Sequence, residues 1–363
     1  MAETDMDLPD AERIKERELG HKRVVRDIIT AALQNPTLEV LTEAAFQLDD
    51  KCPLLDAKDD IYMYLTCLWE VIIDMARSPS VSDEVQGYLV TIVDALQNCD
   101  MGDIDVFEVS TKRVWRDLPY LADELQSCFI EPTDFGEWSP GYVQIWQNAH
   151  SFLARMTGAG ICSPSSEVMD ALRKALEQDI SAVDSTAMKE SRVRVACDWI
   201  KHSAAPLLSW ATENIGYMDV PEEDTAAYCD NGPLYGGPHT MCLQRWGFWI
   251  ERFQELGKPE SGLREELREA VLQAAQTMEA VERSVGHTLS GQPTQPIVIE
   301  TAAPQTQVTS EPLGSEQATT IETAEAPTQG AIEPVDLVQP VTTEAAEAST
   351  QVTFDPMDGG SME

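Results

Sequence analysis

The chain has 363 residues, 43% of them apolar, and a formal net charge of −38 from 25 Lys and Arg against 63 Asp and Glu. Phosphates repel such a surface, which excludes general nucleic-acid binding and disfavours anionic membranes, so a charged partner is expected to be basic. The opening MAETDMDLPD is acidic without an apolar centre, and the longest apolar stretch, Ile61 to Ile73, contains Glu70; neither a secretory signal nor a membrane span is predicted. Eight cysteines (52, 67, 99, 128, 162, 197, 229 and 242) stand apart, without the Cys-x-x-Cys spacing of zinc or redox sites. Reduced thiols in a cytoplasmic or nuclear, non-secreted protein are the expectation.

In chain order, Lys15 to Arg26 is a basic cluster interleaved with acids, read as an exposed helix face with i,i+4 pairs such as Glu18–Lys22. Residues 1–55 are expected to hold N-terminal helices, partly disordered, and 56–283 the helical domain. From Ile61, one stripe runs Ile61, Leu65, Leu68, Ile72, Met75 and a second Tyr62, Trp69, Ile73, Ala76, which predicts a helix buried on two sides. Val81, Val85, Leu89, Ile92 and Leu96 mark the next helix, with Ser82 as N-cap. Ser139-Pro140 and Ser163-Pro164 are read as further starts, serine capping and proline in the first turn. Ser191 to Asn214 is helical in pattern, kinked or broken by Pro206. Pro238 is read as opening a helix through Trp246, Trp249 and Phe253, and Leu263 to Val285 trace the last. No run alternates cleanly enough for a strand, so the fold class is all-α, a multi-helix bundle or solenoid-like helical array.

After Arg283 the composition breaks. Residues 284–363 contain no Lys or Arg, twelve acids, eight prolines and one aromatic, Phe354; the 51 remaining acids leave −26 on residues 1–283. Such a segment buries too little apolar surface to offset chain entropy and is expected to be a disordered acidic tail. It carries an imperfect 22-residue repeat, with Glu300, Glu322 and Glu344 in register and Thr-Gln pairs at 306, 328 and 350. Lacking core-forming leucines, it reads as duplicated low-complexity sequence.

No standard catalytic or cofactor motif is present. Gly136-Glu-Trp-Ser139-Pro-Gly141 has the wrong spacing for a nucleophile elbow. The five histidines are scattered, with His150 and His202 in helical patterns and neither beside a second ligand; Glu222-Glu223-Asp224 reads as solvated loop charge. No catalytic residue is assigned, and no metal or cofactor is expected. The one dense stretch runs from Tyr228 through Gly236-Gly237 to Arg245-Trp246-Gly-Phe-Trp249. Its backbone amides beside a helix start could hold an anion, but a loop packed on an aromatic core helix explains the same residues. Trp246 and Trp249 share a side with Phe253, which predicts burial, while Arg245 and Arg252 lie off that stripe and are expected to reach solvent or pair with the abundant carboxylates.

Landmarks from Tyr64…Trp69 through Val114-Trp115-Arg-Asp-Leu118-Pro119 and Trp146…Arg155 to Arg245-Trp246-x-Phe248-Trp249-x-x-Arg252-Phe253 order the domain. This pattern, over about Asp56 to Glu282, resembles an all-helical family of unknown function from filamentous fungi. The resemblance implies an α-helical, non-secreted protein and carries no catalytic residue. A non-enzymatic helical interaction module for a protein partner, with the tail as tether, is the leading expectation. The alternatives are an enzyme with an atypical site near Gly236–Trp249 and a nuclear regulatory factor using the tail.

Overall fold

A computed structural model of the chain describes residues 10–55, 57–99, 101–106, 110–129, 131, 140–179, 185–213 and 230–285. Among these the fold is helical: α1 (Asp10–Leu33), α2 (Leu38–Lys51), α3 (Lys58–Arg77), α4 (Asp83–Gln97), α5 (Leu121–Gln126), α6 (Pro140–Gly158), α7 (Ser165–Leu172), α8 (Thr186–Glu213), α9 (Leu243–Leu256) and α10 (Glu265–Val285). The expected acidic tail, apart from its first two residues, lies outside the described residues, as do Ser139, Tyr228, Cys229 and the Glu222–Asp224 run. All described residues belong to one unit, Met1–Ile297.

Local chemistry sets several of these boundaries. Thr37 and Ser82 each turn a hydroxyl onto the amide three residues ahead, at 3.2 Å to Val40 and 3.3 Å to Val85, satisfying one of the first-turn donors of α2 and α4. Ser82 is thus the cap its sequence suggested. Ser163 is not one: the carbonyl of Pro164 takes the first bond, from the Val168 amide, and no side chain caps α7. α9 begins at Leu243, five residues after Pro238, with Cys242 at its N-cap position. The intervening segment is bent, and its Thr240 carbonyl accepts from the Arg245 guanidinium.

No strand was expected, yet β1 (Asp103–Val106) and β2 (Ser110–Arg113) form a two-stranded antiparallel pair matching Asp103 with Arg113 and Val106 with Ser110. β2 is exposed along its whole length, so no alternation of apolar and polar residues announced it.

α3 is buried as its two stripes required, with Ile61, Leu65, Leu68, Ile72, Trp69, Ile73 and Ala76 all in the core; Tyr62 departs from the pattern at 47% exposed, edge-on against Tyr120. α1 packs on α3, α2 on α4, and α3 on α6; α8 lies between α6 and α10. The α6–α8 approach is very close. Pro206 has no amide to offer the His202 carbonyl, and the helix kinks at Ser203. Gly158 packs against that carbonyl: a Cβ at position 158 would sit 1.9 Å from the His202 oxygen. A helix broken by proline is thereby seated on a helix ending in glycine.

Candidate functional site

α7 does not stop at Leu172 but loosens into a π-helical turn, Arg173–Glu177, whose wider winding is a frequent mark of local specialisation. The turn delivers Glu177 into the interior, fully buried, opposite Arg245 from the first turn of α9, also fully buried. Two parallel bonds join them: Arg245 Nε to Glu177 Oε1 at 2.6 Å and Nη2 to Oε2 at 2.8 Å. Trp249 Nε1 donates to Oε1 at 2.8 Å, and the Gly232 amide to Oε2 at 2.8 Å. Each carboxylate oxygen therefore accepts twice, which is the condition for keeping such a group charged in an apolar interior.

The arginine is equally committed. Nη2 also donates to the Asp230 carbonyl at 3.0 Å, and the guanidinium lies over Tyr235 at 5.1 Å and Trp249 at 5.7 Å from the ring centroids. The Leu234 amide bonds the Glu177 carbonyl at 2.9 Å, and Arg252 Nε bonds the Leu176 carbonyl at 3.0 Å. Loop 230–242 is thus sewn to the π-turn from both sides. Gly232 is required by space, since a Cβ there would lie 2.5 Å from Glu177 Cβ and 2.6 Å from its carbonyl oxygen.

Trp246, Trp249 and Phe253 are fully buried, as their spacing predicted. Of the two fates open to Arg245, solvent or a carboxylate partner, it takes the second: the Glu177 carboxylate offsets the cost of taking its charge out of water. The Gly236-Gly237 stretch does not join the knot. Gly236 faces open space, while Gly237 lies against the Tyr235 ring and its carbonyl accepts from Asn231. Glu177 is the residue that sequence reasoning missed; a single acid after Leu176 carries no signal of its partners.

Two other polar environments are notable. His150 is buried among Phe129, Trp146 and Trp199, accepts from Trp199 Nε1 at 3.2 Å, and is held neutral by burial, its pKa lowered to about 3. One turn apart on α8, burial raises the Asp198 pKa to about 6 and lowers that of His202 to about 4. The backbone is strained around Pro119, where Leu118 and Tyr120 take φ of 45° and 67°; the Pro119 carbonyl receives Trp69 Nε1 at 2.8 Å. Among the described residues no group of three or more His, Cys, Asp or Glu is placed to hold a metal ion, and no helix is long and apolar enough to cross a membrane.

A family model described as "Protein of unknown function (DUF3632)" matches residues 69–253, just over half of the chain. The chain belongs to this family. The DUF3632 segment opens at Trp69, which anchors the Pro119 turn, and closes at Phe253, which ends the aromatic stripe of α9. It contains the whole knot and leaves α1, α2 and α10 outside. No curated protein and no solved structure matches the chain.

Proposed function

We propose that the chain is a non-enzymatic helical module that binds a protein partner, with residues 284–363 as an acidic tether and residues 1–55 and 56–283 as its N-terminal helices and main helical domain. One observation carries this reading. Among the described residues, eight of the twelve exposed large apolar side chains fall between Ile14 and Tyr62, largely outside the DUF3632 segment. Leu38 is 73% exposed and Phe46 52%, on a helix whose other face is packed in the core, and Leu54, in the connection to α3, is 76% exposed. Apolar side chains left in water at this density favour a covering partner. The net charge of −38 favours a basic partner over nucleic acid or an anionic membrane, in the cytoplasm or nucleus. The side chains near Gly236–Trp249 that could have served catalysis are spent on one another, which weighs against the enzyme alternative.

Affinity capture with the full chain, beside a Leu38→Glu/Phe46→Glu variant, tests the reading. A protein captured stoichiometrically by the native chain and lost from an equally stable variant is expected. Identical capture by both chains, or none by either, refutes it.

A further inference from the structure

A cleft separate from the knot opens along one stripe of α1. Arg17, Gly20, His21 and Val24, spaced i, i+3, i+4 and i+7, form one wall; Lys51 at the end of α2 and Asp60 and Tyr64, one turn apart at the start of α3, form the other. The cleft is open to solvent on one side, and its volume is about 420 Å³, within the ~300–1,000 Å³ range of small-molecule sites.

Its floor is apolar and aromatic. Beneath it Tyr64 is fully buried, its hydroxyl donating to the Leu48 carbonyl at 2.5 Å. His21 stands edge-on to the Tyr64 ring, centroids 5.5 Å apart, and burial lowers its pKa, leaving it neutral at pH 7. The rim is charged. Arg17 and Lys51 are each 53% exposed, and Asp60 is the one acid of the lining, bonded to Arg17 at 2.5 Å. The lining therefore carries one net positive charge in a chain whose total is −38. Lys51 also meets Asp50 at 2.9 Å, a neighbour outside the lining and 75% exposed, where water screens the pair.

Gly20 leaves room in the α1 wall of the cleft. A glycine inside a helix is less favourable than alanine, because its backbone loses more freedom on folding. No crowding requires it here, because a Cβ at position 20 would meet nothing within 4 Å. Gly87 and Gly247 also face open space, so the glycine alone is no signal; at position 20, however, the open space is the cleft itself.

We propose that this cleft binds a small organic monoanion. Its carboxylate, or a comparable single negative group, sits between Arg17 and Lys51, and its ring-sized apolar body lies against Val24 and His21. Inorganic phosphate lacks the apolar body. This site goes beyond the partner surface proposed above and does not depend on it.

Calorimetric titration of the full chain with 1-naphthoate, 1-naphthalenemethanol and inorganic phosphate tests the assignment. Saturable one-to-one binding of naphthoate is expected, with the neutral alcohol and phosphate at least tenfold weaker. Gly20→Leu should abolish it by filling the cleft, Lys51→Glu should weaken it at least tenfold, and Gly87→Ala should leave it unchanged. Absence of saturable naphthoate binding overturns the proposal. So does equal binding of the alcohol, or naphthoate affinity unaltered by Lys51→Glu, a surface change that stands as a test even if Gly20→Leu fails to fold.

Discussion

Glu177 and Arg245 meet through two parallel hydrogen bonds at 2.6 and 2.8 Å, and solvent reaches neither side chain. Removing one partner leaves the other as an unpaired charge in the core, a loss of about 3–5 kcal/mol. Arg245→Met should therefore lower the urea midpoint sharply. A double variant, Glu177→Leu/Arg245→Met, should recover part of that loss but not all, because the Gly232 amide and the Trp249 indole still lose their acceptor. Strict additivity of the two single changes would contradict the paired arrangement.

The two tryptophans of α9 are equally buried but differently bonded. Trp249 Nε1 donates to Glu177, whereas Trp246 Nε1 has no hydrogen-bond partner among the described residues. Either alanine variant should cost about 3–5 kcal/mol as a large-to-small core change. Phenylalanine separates them: Trp249→Phe should cost more than Trp246→Phe by roughly 1.5–3 kcal/mol, the worth of a bond to a charged acceptor. Chemical denaturation of the two variants side by side measures the difference.

Gly158→Ala should be among the most damaging single-methyl additions in the protein. The added carbon would fall 1.9 Å from the His202 carbonyl oxygen, and both groups belong to backbone that cannot swing away as a side chain would. Overpacking typically costs about 1–3 kcal/mol, and a backbone clash lies at the upper end. Gly87→Ala, with no atom within 4 Å, should instead be neutral or slightly stabilising. A thermal-shift comparison of the two distinguishes close approach from simple helix propensity.

Acid should weaken the fold partly through His150. Its folded pKa is lowered from 6.5 to about 3, so between those values the unfolded chain holds a proton that the native one does not. The contribution is fully present above about pH 6.5 and is lost as pH falls toward 3. His202, lowered to about 4, acts in the same direction; Asp198, raised from 3.8 to about 6, opposes both across its own interval. The destabilisation caused by His150→Gln should accordingly be smaller at pH 4.5 than at pH 7 in urea titrations. An equal penalty at both values would show that His150 is protonated to the same extent in the two states.

Helical periodicity made α3, α4, α6, α8 and α10 legible, because each presents a stripe of large apolar residues to a shared core. Ser82 and Pro206 could be read for a similar reason, since capping and proline chemistry act within four residues. The hairpin could not: β1 alternates over only four residues, Asp103 to Val106, and β2 is polar and exposed throughout. The α9 start was misplaced because Pro238 offered a local signal, while the true boundary follows from the Thr240 and Asp230 carbonyls turning toward Arg245. The knot itself was illegible. Glu177 finds its donors 55, 68 and 72 positions along the chain, and a single sequence contains no trace of that choice.

Those separations bear on the order in which the protein assembles. Closing a chain segment of such length costs entropy before any contact compensates, so the α9 end of the knot is expected to arrive late. Until it does, the Glu177 carboxylate has to stay in contact with water, and the π-turn cannot settle into the core. Interactions completed after the transition state slow unfolding rather than speed folding. Arg245→Met should then shorten the lifetime of the native state while leaving refolding rates nearly unchanged. The carboxylate of Glu177 works as a latch that closes last, and the durability of the DUF3632 segment is held in how slowly that latch reopens.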